Sequence, residues 1–289
     1  MALVTPILIV IAAWWIGTGV VLYLQQRIES ARTVLMGALF SVSTLSLAAM
    51  VMASNGIEPW QSYLGFGAAI CLWGCIELSY YTGIISGVHK RPCPADCPIG
   101  KRFRFALGAS LWHEVSVLFA GGVVMTLMLD SVNPAGLYTF LVLWLMRWSA
   151  KLNLFFGVPN FNTDWFPQRL AYAHSYIRRS PVTLFFPISV LIAGTLAAQL
   201  ITSSLGQPEA QALTTLLPGV LLLLAILEHL FMALPIADSA LWDRIFTRHS
   251  EQDSAPSDEQ AIDIELLATD RVSAKSHARV IKALKPEYR

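Results

Sequence analysis

The sequence predicts an all-α, polytopic integral membrane protein with about seven transmembrane helices. Of its 289 residues, 55% are hydrophobic and only 13% are charged, which is more apolar surface than a soluble domain of this length buries. The charged residues are concentrated in a few loops and in the C-terminal tail, and long runs contain none. No alternation of period two with short turns is present, which excludes an outer-membrane barrel.

Seven stretches have the roughly 20 mainly apolar residues that a membrane helix needs. In chain order they are Leu3 to Leu24, Thr33 to Ala53, Gln61 to Ile85, Phe105 to Leu129, Ala135 to Phe156, Val182 to Ile201 and Leu213 to Pro235. The first stretch is uncharged and too long for a signal-peptide core, so we expect it to be retained. The bundle is therefore predicted over residues 1–240.

The basic residues predict the orientation. They occur in alternate connections between the spans and in the tail after Pro235. With Arg147 and Lys151 near the inner end of the fifth span, all 20 Lys and Arg residues lie on one side. Basic loops stay in the cytoplasm, so we expect the N-terminus outside and the C-terminus inside. Residues 86–104 and 157–181 are then cytoplasmic loops, and 241–289 is a cytoplasmic tail, partly disordered.

The two inner loops contain further features. Cys93 and Cys97 lie in the basic first loop, whereas Cys71 and Cys75 lie in an apolar run. This distribution argues against a disulfide framework, so we expect reduced thiols. Two thiolates could form only half of a zinc site. The sequence of the second loop predicts a turn at Pro159 to Asn162. It then predicts a short helix that begins near Asp164 and lies in the inner headgroup region of the membrane. Its apolar side would contain Trp165, Phe166, Leu170 and Ile177.

Ionisable residues within membrane helices are costly, and they mark candidate functional sites. Counted at about 1.5 Å per residue from the inner ends, the candidates here lie about 10 to 20 Å deep. They form one predicted layer on four helices: Glu77, His113, Glu114, Arg147, Lys151, Glu228 and His229. Arg147 and Lys151 are four residues apart and share a helix face.

Three interpretations of this layer are open. It can be an ion-pair and hydrogen-bond network that holds the helices together. It can be a metal site for iron, with ligands drawn from Glu77, His113, Glu114, Glu228 and His229; adjacent residues diverge by about 100° on a helix, which weakens this interpretation. It can also hold a chlorin or haem, with His113 or His229 as the axial ligand.

Five separated stretches resemble one known family. They are ELSYYTG (77–83), LWHE (111–114), TFLVLWLMRWSAKLNLFFGVPN (139–160), FPQRLAYAHSYIRRSP (166–181) and LEHLFMALPIADSALW (227–242). Together they resemble the photosynthetic complex assembly proteins of the PuhE type from purple phototrophic bacteria. The resemblance covers most of the membrane part and does not extend into the tail.

The resemblance implies a non-catalytic role in building the photosynthetic reaction centre and light-harvesting complex. It implies partners among the membrane subunits of that complex, binding of bacteriochlorophyll or its delivery to the complex, and a location in the bacterial inner, intracytoplasmic photosynthetic membrane. The sequence has no P-loop, dinucleotide fingerprint or nucleophile motif, and its basic residues form no nucleic-acid-binding domain. The alternative is a membrane-embedded iron enzyme of tetrapyrrole or carotenoid oxidation.

Overall fold

The structure, a computed structural model, describes residues 3–27, 32–94, 96–161 and 167–234. The described residues are helical and contain no β-strand. The helices are α1 (Val4–Arg27), α2 (Arg32–Ser54), α3 (Pro59–Tyr81), α4 (Ile99–Ala109), α5 (Leu111–Met128), α6 (Ala135–Phe156), a 3₁₀ helix (Gln168–Tyr176), α7 (Phe185–Ser204) and α8 (Glu209–Ala233). The predicted tail, 241–289, lies outside the described residues.

Six of these helices are long and apolar enough to cross a membrane: α1, α2, α3, α5, α7 and α8. This confirms a multi-pass, all-helical membrane protein. The helix α6 has 22 residues, which is ample length for a span. It carries Arg147 and Lys151 in its second half, however, and is not among the six. The prediction of seven spans is therefore supported for six.

The predicted fourth span, Phe105 to Leu129, begins too early. The helix is broken at Ser110, so that α4 ends at Ala109 and α5 starts at Leu111. The break has a partner in the preceding loop, because the carbonyl oxygen of Ser86 accepts hydrogen bonds from the backbone N–H groups of Trp112 and His113, at 2.9 and 3.2 Å. The polar N-terminal end of α4 thus belongs to the inner loop rather than to a membrane helix.

The ends of the long helices meet in two groups. In the first, the Arg169 guanidinium donates to the carbonyl oxygens of Gln25, near the end of α1, and Thr82, at the end of α3. In the second, the Asn133 side chain, before α6, donates to Ser62 in α3. Ser62 in turn donates to the carbonyl oxygen of Ala210 in α8. The helices α1 and α3 therefore run in the same direction, as do α3, α6 and α8.

The helix α3 is the centre of the bundle, and it packs against α1, α2, α6 and α8. It approaches α6 closely, because a Cβ atom built on Gly136 would lie 3.0 Å from the carbonyl oxygen of Gly65. Small residues of this kind let membrane helices approach closely. This contact joins the N-terminal parts of α3 and α6, and the Glu77–Arg147 ion pair joins the same two helices further along.

Two predictions about the inner loops need correction. Cys93 and Cys97 are joined in a disulfide rather than being reduced, whereas Cys71 and Cys75 are free. The second loop contains a 3₁₀ helix that begins at Gln168, and its Leu170 is buried rather than facing lipid. The predicted helix start near Asp164, with Trp165 and Phe166, lies outside the described residues.

Candidate functional site

Two ion pairs, each between a buried carboxylate and a partly exposed cation, link three helices near the C-terminal ends of α3 and α6. Glu77 of α3 forms an ion pair with the Arg147 guanidinium of α6, with 2.9 Å between Oε2 and Nη2. Glu114 of α5 pairs with Lys151, one turn further along α6. Ser110 also donates to Glu114, at 3.2 Å. The i, i+4 spacing of Arg147 and Lys151 thus places both cations on the α6 face that meets α3 and α5.

Two tyrosine rings complete the environment of the cations. Lys151 Nζ lies 5.5 Å from the ring centroid of Tyr80, and the Arg147 guanidinium lies 5.7 Å from that of Tyr81. Such cation–π contacts are attractive, and more so where water is excluded. The sequence interpretation missed both tyrosines, although they follow Glu77 by three and four residues and so share its helix face.

His113 is enclosed beside the first ion pair. Its side chain is 0% exposed, and Nε2 lies 3.8 Å from Oε1 of Glu77. Its ring centroid is 4.7 Å from that of Tyr80. Among the described residues neither ring nitrogen has a hydrogen-bond partner. His113 therefore joins the predicted cluster, but as a packed group without access from outside.

Glu228 and His229 do not join these ion pairs. Glu228 accepts a hydrogen bond from the Trp14 indole of α1, with 2.7 Å between Oε1 and Nε1. His229 turns towards α6, where its Nε2 is 2.9 Å from the Ser149 hydroxyl, and its Nδ1 is 2.8 Å from the carbonyl oxygen of Ala225. The two adjacent side chains of α8 thus point to different helices, as their divergence of about 100° requires.

This arrangement bears on the metal and pigment interpretations. The described part of the chain contains no group of three or more His, Cys, Asp or Glu residues placed to hold a metal ion. Both ring nitrogens of His229 are engaged, and His113 is fully enclosed. In this conformation neither imidazole offers a free nitrogen at an accessible surface for axial ligation.

A cavity of about 250 Å³ opens beside the ion pairs. Its polar lining residues are Glu114, Arg147, Lys151, Tyr80, Tyr81 and Ser110. The rest of its lining is mainly apolar and comes from α4, α6, the 3₁₀ helix and the residues beside them: Phe103, Ala106, Leu107, Ala109, Trp148, Leu152, Leu154, Phe155, Phe161, Ala173, Tyr176 and Ile177. The cavity therefore includes both members of the Glu114–Lys151 ion pair in its lining.

The first inner loop holds one wall of the cavity in place. The Tyr176 hydroxyl of the 3₁₀ helix donates to the carbonyl oxygen of Arg91, and Ser175 accepts from the backbone N–H of Cys93. Burial raises the pKa of Tyr176 to about 12, and burial lowers the pKa of His174 below its usual value. Both residues lie in the 3₁₀ helix, outside the predicted layer of ionisable residues.

Comparison with known proteins gives the family. Residues 1–253 match the family model described as "Protein of unknown function (DUF3623)". The chain belongs to this family. A relative from Rhodobacter capsulatus, named "Uncharacterized 30.4 kDa protein in puhA 5'region", is 31% identical over 237 residues. These residues are 80% of this chain and 86% of the relative. No solved structure matches the chain.

The family match includes every residue of the predicted cluster, since it extends past His229. The relative's name fits a protein of a photosynthesis gene cluster. It agrees with the photosynthetic context of the resemblance found in the sequence, but it names no assembly role. The match and the relative's name assign no role to Glu77, His113 or any other residue of the cluster.

Proposed function

We propose that this protein is a membrane assembly factor for the photosynthetic reaction centre and light-harvesting complex. The single observation that carries the proposal is the relative in the puhA 5' region, because puhA is a reaction-centre gene. Genes that build one complex are often neighbours in bacteria. The five stretches that resemble PuhE-type assembly proteins support the same role.

The arrangement of charges agrees with a role in binding rather than in chemistry. Arg147 and Lys151 are each paired with a carboxylate, so the ionic layer holds α3, α5 and α6 in register. The helices α1 and α2 lie at the periphery, because only 6% and 17% of the residues in their apolar stretches are buried inside the protein. These surfaces face lipid or the transmembrane helices of partner subunits, which associate through close packing within the bilayer.

The proposal includes a topology of seven spans, with the N-terminus outside and the C-terminus in the cytoplasm. In this topology α6 is the fifth span in chain order, in addition to the six apolar ones, and its two basic residues are tolerated because carboxylates neutralise them inside the bundle. The inner end then carries the two basic loops, including the exposed Lys90 and Arg91. The location is the bacterial inner, intracytoplasmic photosynthetic membrane.

Bacteriochlorophyll is part of this proposal as a pigment handled together with the partner subunits. Ligation by His113 or His229 is not needed for that role. The enclosed position of His113 and the two hydrogen bonds of His229 favour pigment contact, where it occurs, through other surfaces of the bundle.

A deletion strain of a phototrophic host tests the proposal. We expect lower levels of assembled reaction centre and light-harvesting complex with pigment synthesis retained, measured by membrane absorbance spectra and by native gels. Re-expression of the wild-type chain should restore the complexes. Normal complex levels in the deletion strain would contradict an assembly role.

Affinity purification of the tagged chain from the same host gives an independent test. Reaction-centre or light-harvesting subunits should be enriched over an unrelated multi-pass protein that carries the same tag. Enrichment equal to that of the control protein would count against direct binding of these partners.

A further inference from the structure

The cavity beside the ion pairs has an unusual construction. After the break at Ser110, α4 is not continuous with α5. It is anchored through Arg102, whose guanidinium donates to the carbonyl oxygen of Phe155 at 3.1 Å, and through Phe103, whose ring packs edge-on against that of Phe155 at 5.4 Å. Ala106 and Ala109 of α4 also line the cavity, and their small side chains leave the space between α4 and α6 unfilled.

The walls and the size of the cavity limit what can occupy it. Leu107, Trp148, Leu152 and Phe155 give it apolar sides, which disfavour a polar metabolite. Its volume of about 250 Å³ is below the roughly 300–1,000 Å³ of pockets that enclose whole drug-sized ligands. A single hydrocarbon chain fits these limits, because it is narrow and apolar and can leave the rest of its molecule outside.

The charges next to the cavity indicate the head group. Arg102 precedes the lining residue Phe103, and Arg178 follows the lining residue Ile177. The backbone N–H of Arg178 donates to the carbonyl oxygen of Leu154 at 3.0 Å, and the Arg102 guanidinium donates to the next carbonyl oxygen of α6, that of Phe155, at 3.1 Å. Both arginines therefore meet the same end of α6. Within the described ranges no carboxylate forms an ion pair with either of them, and the buried Nε of Arg102 has no hydrogen-bond partner. Two arginines at one site are a typical phosphate-binding arrangement.

We propose that this cavity binds one acyl chain of an anionic phospholipid from the cytoplasmic leaflet, with the lipid phosphate held between Arg102 and Arg178. The site goes beyond the assembly role, and only its place in the cytoplasmic leaflet rests on the proposed topology. A bound lipid would fill the gap under α4 and compensate the two guanidinium charges, so it would act as a structural element of the inner face.

The first test blocks the cavity. The full chain is purified in mild detergent, incorporated into nanodiscs with equal amounts of phosphatidylglycerol and phosphatidylcholine, and re-extracted for native mass spectrometry. The wild type should retain phosphatidylglycerol, and Ala106→Trp should lose it because the indole occupies the chain's place. The matched control is Gly122→Trp, since a Cβ atom on Gly122 of α5 meets nothing within 4 Å.

Thermal unfolding of each variant separates a blocked cavity from a misfolded protein. If Ala106→Trp fails to fold, the smaller Ala106→Leu is used, and it should reduce lipid retention while keeping the wild-type unfolding profile. Retention equal to that of Gly122→Trp in a folded cavity variant would overturn the proposal. A chlorin or another non-lipid molecule bound in the cavity would overturn it as well.

The second test addresses the phosphate. The double variant Arg102→Gln/Arg178→Gln should lower the preference for phosphatidylglycerol over phosphatidylcholine about tenfold, which corresponds to about 1.4 kcal/mol. The control Lys101→Gln/Arg104→Gln removes the same charge from the same inner surface and should leave the preference unchanged. Equal losses in both double variants would show a general attraction to a basic surface and would contradict a specific site.

Discussion

At the residue scale, the two cations of α6 show how a bilayer interior tolerates charge. Arg147 and Lys151 each face a carboxylate from another helix, and each lies near a tyrosine ring. Breaking a buried pair leaves one charge without a partner, which costs far more than the net contribution of the intact pair. The ionic layer therefore makes helix packing specific, because α3, α5 and α6 must meet in one register.

A substitution of Glu77 tests this view. Glu77→Gln leaves the Arg147 guanidinium buried without its carboxylate, and we expect a loss of about 3–5 kcal/mol in the free energy of unfolding. The measurement is thermal or denaturant unfolding in detergent. Glu209→Gln, at an exposed position in the first turn of α8, is the control and should change stability by less than about 1 kcal/mol.

The double variant Glu77→Leu/Arg147→Leu completes the experiment. Replacing both charged partners by apolar residues removes the unpaired charge, so most of the stability lost in Glu77→Gln should return. The single variants Glu77→Leu and Arg147→Leu are measured as well. If the stability loss of the double variant equals the sum of the two single losses, the side chains are not coupled and the ion pair does not stabilise the contact between α3 and α6.

Tyr176 gives a prediction about pH. Its pKa is raised from 10.0 to about 12 because burial disfavours the phenolate. The contribution of this tyrosine to stability is complete below pH 10.0 and is lost as the pH rises to about 12. Ultraviolet titration of the wild type minus Tyr176→Phe should show one phenol that ionises near pH 12. A difference signal centred near pH 10.0 would contradict the burial of this hydroxyl.

At the element scale, the parts that were predictable follow from local spacing. The apolar runs predicted six helices that are long and apolar enough to span a membrane, and the i, i+4 spacing placed Arg147 and Lys151 on one face. The break at Ser110 was missed because the sequence FALGASLWHE has no proline or charge there to stop a helix. The Ser86 carbonyl that satisfies the new helix start lies 24 residues earlier than Ser110, and no local pattern reveals such a contact.

The partners of the site residues were equally unpredictable from local spacing. Glu228 bonds to Trp14, which is 214 residues away in the chain. His229 bonds to Ser149, 80 residues away. The sequence placed all these groups at one depth, but only packing decides which neighbour each side chain meets.

The approach of α3 to α6 also belongs to the element scale. Gly136→Leu would push a side chain into the Gly65 carbonyl oxygen, which a Cβ atom alone would meet at 3.0 Å. We expect a loss of about 1–3 kcal/mol from overpacking, measured by thermal unfolding in detergent. Gly122→Leu is the matched control, because it adds the same side chain to a helix face with nothing within 4 Å. Equal effects of the two substitutions would show that the close contact is unimportant.

At the scale of the whole molecule, the proposed topology makes a prediction about reporter fusions. Alkaline phosphatase fused after Ser131, in the connection from α5 to α6, should be active because this connection faces the periplasm. The same enzyme fused after Lys90 should be inactive, and a fluorescent protein at the C-terminus should fold and fluoresce in the cytoplasm. The reverse pattern would refute the orientation, and an active phosphatase at both positions would refute the number of spans between them.

The charged character of α6 has a consequence for biosynthesis. A lone Arg or Lys at the centre of a membrane helix costs about 2.5–3.5 kcal/mol on insertion scales, and α6 carries both. The carboxylates that neutralise them are on α3 and α5, which the ribosome makes first. In the proposed topology of seven spans, α6 therefore enters the lipid after the two helices that carry its carboxylate partners, so the order of synthesis favours its insertion.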